Sequence, residues 1–216
     1  MADIESVEWA IFPLESAQLP DQDLPLRIFE PRYSALVRHC LDSGEPFGVV
    51  LISRGREVGG RDSRSDVGVL CRITQCVDHG SGLYELLCRT GERIRVSEWL
   101  PDDPYPRAVV QIWPDEPGDP VTEAQLLEIE DRVMALFDRI AEARGVELPD
   151  RDVLLGHDEA GSDEPAQRLF TLASRIPIGT ADRYSVLSAP SAADRLVALS
   201  EAVDAVAEVV EFQLSE

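Results

Sequence analysis

Residues 24–41 read LPLRIFEPRYSALVRHCL, and the hydrophobic period changes partway through them. Leu24, Leu26 and Ile28 alternate with Pro25, Arg27 and Phe29 at the period of two that marks a strand. Tyr33, Leu36, Val37 and Leu41 then follow the spacing of one helix face. Pro31 stands where a first-turn proline belongs, because its fixed φ suits a helix start and its missing N–H is not needed there. Glu30 lies beside the positive end of the helix dipole. A strand that hands over directly to a helix is a specific junction, and the flanking sequence defines what it joins.

To about residue 115 the flanks read mainly as strands. VEWAIFPL (7–14), FGVVLIS (47–53), VGVLCRITQCV (67–77), LYELLCRT (83–90), ERIRVSEWL (92–100) and RAVVQIW (107–113) are β-branched or alternating, with Gly, Pro and Asp between them. DHGSG (78–82) and the tight TGE (90–92) read as hairpin connections. The helix from about Glu30 to Leu41 ends at DSG, where Gly44 caps it. Many short strands with one inserted helix predict a small closed or half-closed barrel.

At PDEPGDP (114–120) the pattern changes to a proline-rich acidic linker followed by helices. Thr122 and Gln125 form a capping-box pattern for a helix to about Arg144, with Leu126, Ile129, Val133, Leu136 and Ile140 along one face and Gly145 as its stop. A shorter helix after Ser162-Asp163-Glu164-Pro165 buries Leu169, Phe170 and Ala173. Another spans about 180–188. Ser191 opens a last helix with Leu196, Leu199, Val203, Val206 and Val210 on a stripe that fits bundle packing or, less readily over two heptads, a self-association seam.

The 216-residue chain carries a net charge of −21: 19 acidic residues against 12 arginines up to residue 115, then 22 against 8. Such a surface repels nucleic acid. All 20 basic residues are arginine. Without lysine these residues encode no Walker A motif, no serine–lysine dyad and no Schiff base. Nothing approaches 18 consecutive apolar residues, and MADIESVEW lacks signal-peptide character, so a cytoplasmic location is expected. Cys40, Cys71, Cys76 and Cys88 have no C-x-x-C spacing and read as buried, reduced thiols.

No catalytic pattern emerges. H-E-x-x-H and G-x-S-x-G are absent. His157 lies in the acidic stretch GHDEAGSDE, which lacks the ligand spacing of a calcium loop and reads as solvated charge. SRGREVGGRDSRSD (53–66) carries four arginines, but it fits neither a P-loop nor a dinucleotide fingerprint and reads as a plain loop.

The opening junction carries a resemblance. FPL at 12–14, LPLRIFEPRYSALV at 24–37 and FGVVLI at 47–52 resemble the amino-terminal, substrate-binding domain of the Lon protease family, the standalone bacterial members most of all around LPLRIFEPRY. VGVLCRI (67–73), LYELLCRTGERIRV (83–96) and YPRAVV (105–110) fall in the family's order. TADRYSVLSAPSAADRLVALSEAV (180–203) is similar to the short-helix, long-helix segment that ends that domain.

The resemblance implies an α+β fold: a PUA-like small β-barrel with one inserted helix over residues 1–115, then an α-helical bundle over 116–216. In full-length Lon an ATPase and a serine–lysine protease follow this region; this chain ends at Glu216 and has no lysine for either. The expectation is therefore a non-catalytic protein- or peptide-binding module. Its partners would be unfolded protein segments or a dedicated protein, with no cofactor, metal, nucleic acid or membrane; self-association stays open. Arg27, Phe29, Glu30, Arg32 and Tyr33 are the candidate peptide-binding residues, on a groove where an extended peptide docks on the sheet. The alternative for Arg27, Glu30 and Arg32 is to pair with one another or cap the backbone. Two other functions compete: a small-ligand-binding or hydrolytic protein using the barrel pocket, with His39, His79, His157 or the cysteines as reactive groups, and a structural subunit that dimerises through its last helix.

Overall fold

The runs foreseen from alternation fall on six strands, with 67–77 lengthened at both ends and 83–90 joined to 92–100: β1 (Val7–Leu14), β2 (Asp23–Ile28), β3 (Phe47–Arg54), β4 (Ser63–Gly80), β5 (Leu83–Leu100) and β6 (Arg107–Ile112), with helix α1 (Pro31–Ser43) between β2 and β3. The computed structural model describes residues 6–54, 63–157 and 164–214. It divides the chain into two units, Met1–Pro114 and Asp115–Glu216. Among the described residues the fold is mixed α+β, with six strands in one sheet and six helices.

The sheet order is β2-β5-β4-β3-β1-β6, and β6 also pairs with β5. The pairings therefore run in a closed circuit, β5-β4-β3-β1-β6-β5, with β2 attached outside it on the first half of β5. Among the described residues only β1 and β3 pair in parallel, as their connection through β2 and α1 permits. The core of the circuit is built from Ile11, Val50, Leu70, Ile94, Val96, Ala108 and Val110.

The expected hairpin at TGE does not exist. β5 runs unbroken for 18 residues. Instead, the β4 ladder steps from Val69↔Arg93 to Cys71↔Thr90, so one extra residue of β5 is accommodated at a bulge beside Gly91. Thr90 is held there by distant groups and not by a turn. Its buried Oγ1 donates to the Leu19 carbonyl (2.7 Å) and accepts from the Gln22 N–H (2.8 Å), while its own N–H donates to the Gln22 carbonyl (2.9 Å). DHGSG does form a hairpin, with a two-residue turn at Ser81 (φ 55°) and Gly82 (φ 80°) whose paired positive φ values match the twist of the strands.

In α1, Tyr33, Leu36 and Val37 are buried as the helical period requires. Leu41, expected on that face, is exposed, and Ser34 and Cys40 are buried in addition. Ser34 faces inward because its hydroxyl donates to the Gly82 carbonyl at 2.6 Å, tying the β4–β5 hairpin to the helix. Gly44, with φ 74°, ends α1 by donating its N–H to the Cys40 carbonyl.

The second unit contains α2 (Glu123–Arg144), α3 (Arg151–Leu155), α4 (Pro165–Arg175), α5 (Thr180–Ser188) and α6 (Ala192–Leu214). Thr122 and Gln125 make the capping box in both directions. Leu126, Ile129, Val133 and Leu136 are buried, Ile140 only partly. On α6, Leu199 and Val203 are buried and Leu196, Val206 and Val210 half-buried, so much of that stripe is spent inside the bundle. Arg195 is fully buried, bidentate with Asp115 (2.5 and 3.0 Å), and lies over the Phe170 ring at 3.8 Å. The linker is thereby fastened: Asp115 pairs with Arg195 and the Glu116 N–H donates to the Pro190 carbonyl.

Two stability changes follow. Thr90→Val leaves a buried carbonyl and N–H without their partner and is expected to cost about 2 kcal/mol, read as a lower urea midpoint, with Thr90→Ser restoring most of it. Asp115→Ala strands the buried Arg195 charge and is expected to cost about 3–5 kcal/mol, whereas exchanging the surface pair Arg89–Asp23 for alanines changes stability by about 1 kcal/mol or less.

Candidate functional site

The alternation of β2, β5 and β4 places Arg27, Glu85 and Val77 in one cross-strand row and Pro25, Leu87 and Gln75 in the next. These rows form the outer face of a three-stranded wing. A hollow of about 420 Å³ lies on it, lined by both rows together with Leu26 and Leu86. A second hollow, of about 280 Å³, lies at the wing's tip between Arg27, Ile28, Phe29, His79, Leu83, Tyr84 and Glu85. The two share Arg27 and Glu85. Phe29 (56% exposed), Val77 (53%) and Leu83 (45%) are large apolar side chains left in solvent around them.

The charges that line the two hollows are paired with one another. Arg27 donates to Glu85 Oε1 at 3.1 Å, and His79 Nε2 stands 3.3 Å from Glu85 Oε2. The Glu85 carboxyl is held below the usual carboxylate range, first by the hydrogen bond and charge of His79 and then by Arg27. Asp23 and Arg89 pair one row further along. Between these pairs lie Pro25, Leu87 and Val77, an apolar belt broken only by the uncharged Gln75.

The five residues named from sequence separate into two groups. Arg27 and Phe29 are exposed and line the hollows. Glu30 and Arg32 pair with each other at 3.1 Å and are largely covered, and Arg32 lies over the Tyr33 ring at 4.4 Å. Tyr33 itself is buried, its ring 4.3 Å from that of Phe12, which in turn neighbours Phe47. These three build the strand-to-helix junction and Tyr33 presents nothing to a ligand. Val77, Leu83, Leu87, His79 and Glu85 were not singled out for the face, because only the register of β4 and β5 brings them beside β2.

Each histidine faces carboxylates: His39 faces Glu45 (3.2 Å), His79 faces Glu85, and His157 lies between Glu130 (3.1 Å) and Asp152 (3.2 Å). His157 is thus not simply solvated, since Glu130 is buried and also binds Arg168 at 2.7 Å. Residues 158–163 of that acidic stretch lie outside the described residues, as do 55–62 of the arginine-rich segment. Arg64 belongs to β4, where it binds Asp102 through two nitrogens (2.8 and 3.0 Å) and lies over Trp99. No group of three or more His, Cys, Asp or Glu side chains among the described residues is placed to hold a metal, and no described helix is long and apolar enough to cross a membrane.

All four cysteines are free; Cys40, Cys71 and Cys88 are buried and Cys76 half-buried. Burial pushes the Cys40 thiol up to about 12, and the hydrogen bond with Cys88 together with burial pushes Cys71 up as well. Because Cys40, Cys71 and Cys88 are buried, a disulfide-exchange reagent at pH 8 is expected to label Cys76 alone in the native chain and the other three only after denaturant is added; rapid native labelling of Cys40 would contradict this placement.

Among the described residues the first unit thus carries an apolar, charge-paired sheet face in an α+β fold. The chain belongs to the family described as the ATP-dependent protease La (LON) substrate-binding domain, whose profile matches residues 8–205. It is 26% identical over 149 residues to Lon protease 2 of Thermus thermophilus, covering 68% of this chain and 18% of that protein. It is 23% identical over 198 residues to Lon protease 1 of Herpetosiphon aurantiacus, covering 90% of this chain and 24% of that protein. The chain thus spans a quarter or less of these relatives' length. A crystal structure of a Lon N-terminal domain protein from Xanthomonas campestris superposes with a TM-score of 0.64 at 25% identity, over 90% of this chain and 98% of that one.

Proposed function

We propose that the chain is a non-catalytic binding module that takes extended, unfolded segments of other proteins on the outer face of the β2–β5–β4 wing, with Arg27 and Phe29 among the contacts. Membership of a substrate-binding domain family supports the binding role. The observation that carries the location is the pair of adjoining hollows that share Arg27 and Glu85 and are bordered by exposed Phe29, Val77 and Leu83. The closed circuit of strand pairings supports reading Met1–Pro114 as a small PUA-like barrel, with β2 as an added outer strand. Pro25 has no N–H to offer at the middle of β2, so recognition through side chains on the sheet face is favoured over addition of a strand to its edge. Glu30, Arg32 and Tyr33 serve this face indirectly, by fixing β2 against α1.

Fluorescence anisotropy of a labelled, permanently unfolded protein tests the reading. The chain is expected to bind it saturably with a micromolar Kd, and Phe29→Asp combined with Val77→Asp to weaken binding at least tenfold with Tm unchanged. Absence of binding by the unaltered chain would overturn the function; undiminished binding by the variant would overturn the location.

A further inference from the structure

The last helix is apolar on two sides. Its inner side carries Leu199, Ala202 and Val203 in the bundle core. Its solvent side carries Val197 (57% exposed), Val209 (56%) and Phe212 (67%), with exposed Ala205 among them. At the helical period these four, with Glu201 and Glu208, fall within an arc of about 120°. A helix apolar on both sides is ordinarily covered on both sides, and here only one is covered. Moreover, α2 runs alongside α6 in parallel, since Arg132 binds Asp204 and Arg139 binds Glu211. The open face of α2 bears its own hollow, between Ala124, Leu127, Glu128, Asp131, Arg132 and Ala135, and Leu127 is 48% exposed.

The charge on this surface is predominantly acidic, since its arginines Arg132 and Arg139 are each taken up by an acid of α6. α6 carries five acidic residues and a single arginine, Arg195, which is buried against Asp115. Glu128, Glu201 and Glu208 are exposed, with no ion-pair partner among the described residues. A second copy of α6 on this face would set glutamates against glutamates. An acceptor surface with apolar positions spaced by three, four and eight residues and unpaired acids between them fits a helix of the opposite pattern.

We propose that the outer face of the α2–α6 pair docks an amphipathic helix whose apolar stripe is flanked by arginine or lysine, a second interaction surface independent of the segment-binding wing. Val197, Val209 and Phe212 supply the contact area; Glu128, Glu201 and Glu208 select the charge. The probe is a synthetic helix of roughly 18 residues, leucine on one face and lysine on the other, with a leucine–glutamate counterpart. Both are titrated calorimetrically into the whole chain. The lysine helix is expected to bind and the glutamate helix not to. Val209→Ser with Phe212→Ser should weaken binding at least tenfold, while Phe29→Ser in the first unit leaves it unchanged. Because Val209 and Phe212 are exposed, the double variant keeps its fold, checked by circular dichroism. Equal binding by the serine variant would reduce the attraction to net charge and overturn the proposal, as would no binding at all. Sedimentation showing a dimer of this chain that Phe212→Ser dissolves would also overturn it, by making a second copy the occupant.

Discussion

The sheet depends on one strand serving three neighbours. β5 has only two edges, yet it pairs with β2, β4 and β6, and it does so by exchanging partners along its length. Its first half takes β2 on one side; past the bulge that side takes β6, while β4 follows the other edge to Arg95. The extra residue beside Gly91 bends and twists the strand at that point, and Thr90 locks the bend by binding the chain between Leu19 and Gln22. The closed circuit, the attachment of β2 and hence the wing face all rest on this bend.

The wing face shows how a binding surface is made from residues that mostly support one another. Phe12, Tyr33 and Phe47 fix the helix to the sheet, and Ser34 fixes the hairpin to the helix. Glu85 is shared by Arg27 and His79. The last of these contacts pairs the charges beside the hollows, so the belt of Pro25, Leu87 and Val77 is left without charge on a chain of net charge −21. Apolar contact and not ionic attraction is what such a belt offers.

Where structure follows from local chemistry, the sequence was sufficient. The change of period between Ile28 and Tyr33, the Thr122–Gln125 box and the stops at Gly44 and Gly145 are all decided within a few residues, and each appears as read. The failures are of another kind. Thr-Gly-Glu at 90–92 has the composition of a turn, but pairing with β4 across it and the Thr90 anchors outweigh that preference. Leu41 fits the helix stripe, yet Ser34 takes an inward place because a carbonyl from a hairpin some fifty residues away needs a donor. The five-residue helix α3 is too short to show a period. Of the candidate site, the β2 half was legible from the junction itself, whereas Val77, Leu83 and Leu87 become neighbours of Arg27 only once the strand register is known.

The pairing of β1 with β6 has a consequence for how such a unit is used. Val7 lies opposite Val110 and Ala10 opposite Arg107, so the polypeptide enters and leaves the first unit through adjoining strands. Seen from outside, the whole sheet is a cassette with its two leads side by side. Joined to a longer polypeptide it adds little to the distance between the segments on either side, much as a pendant hangs from one link without lengthening the chain.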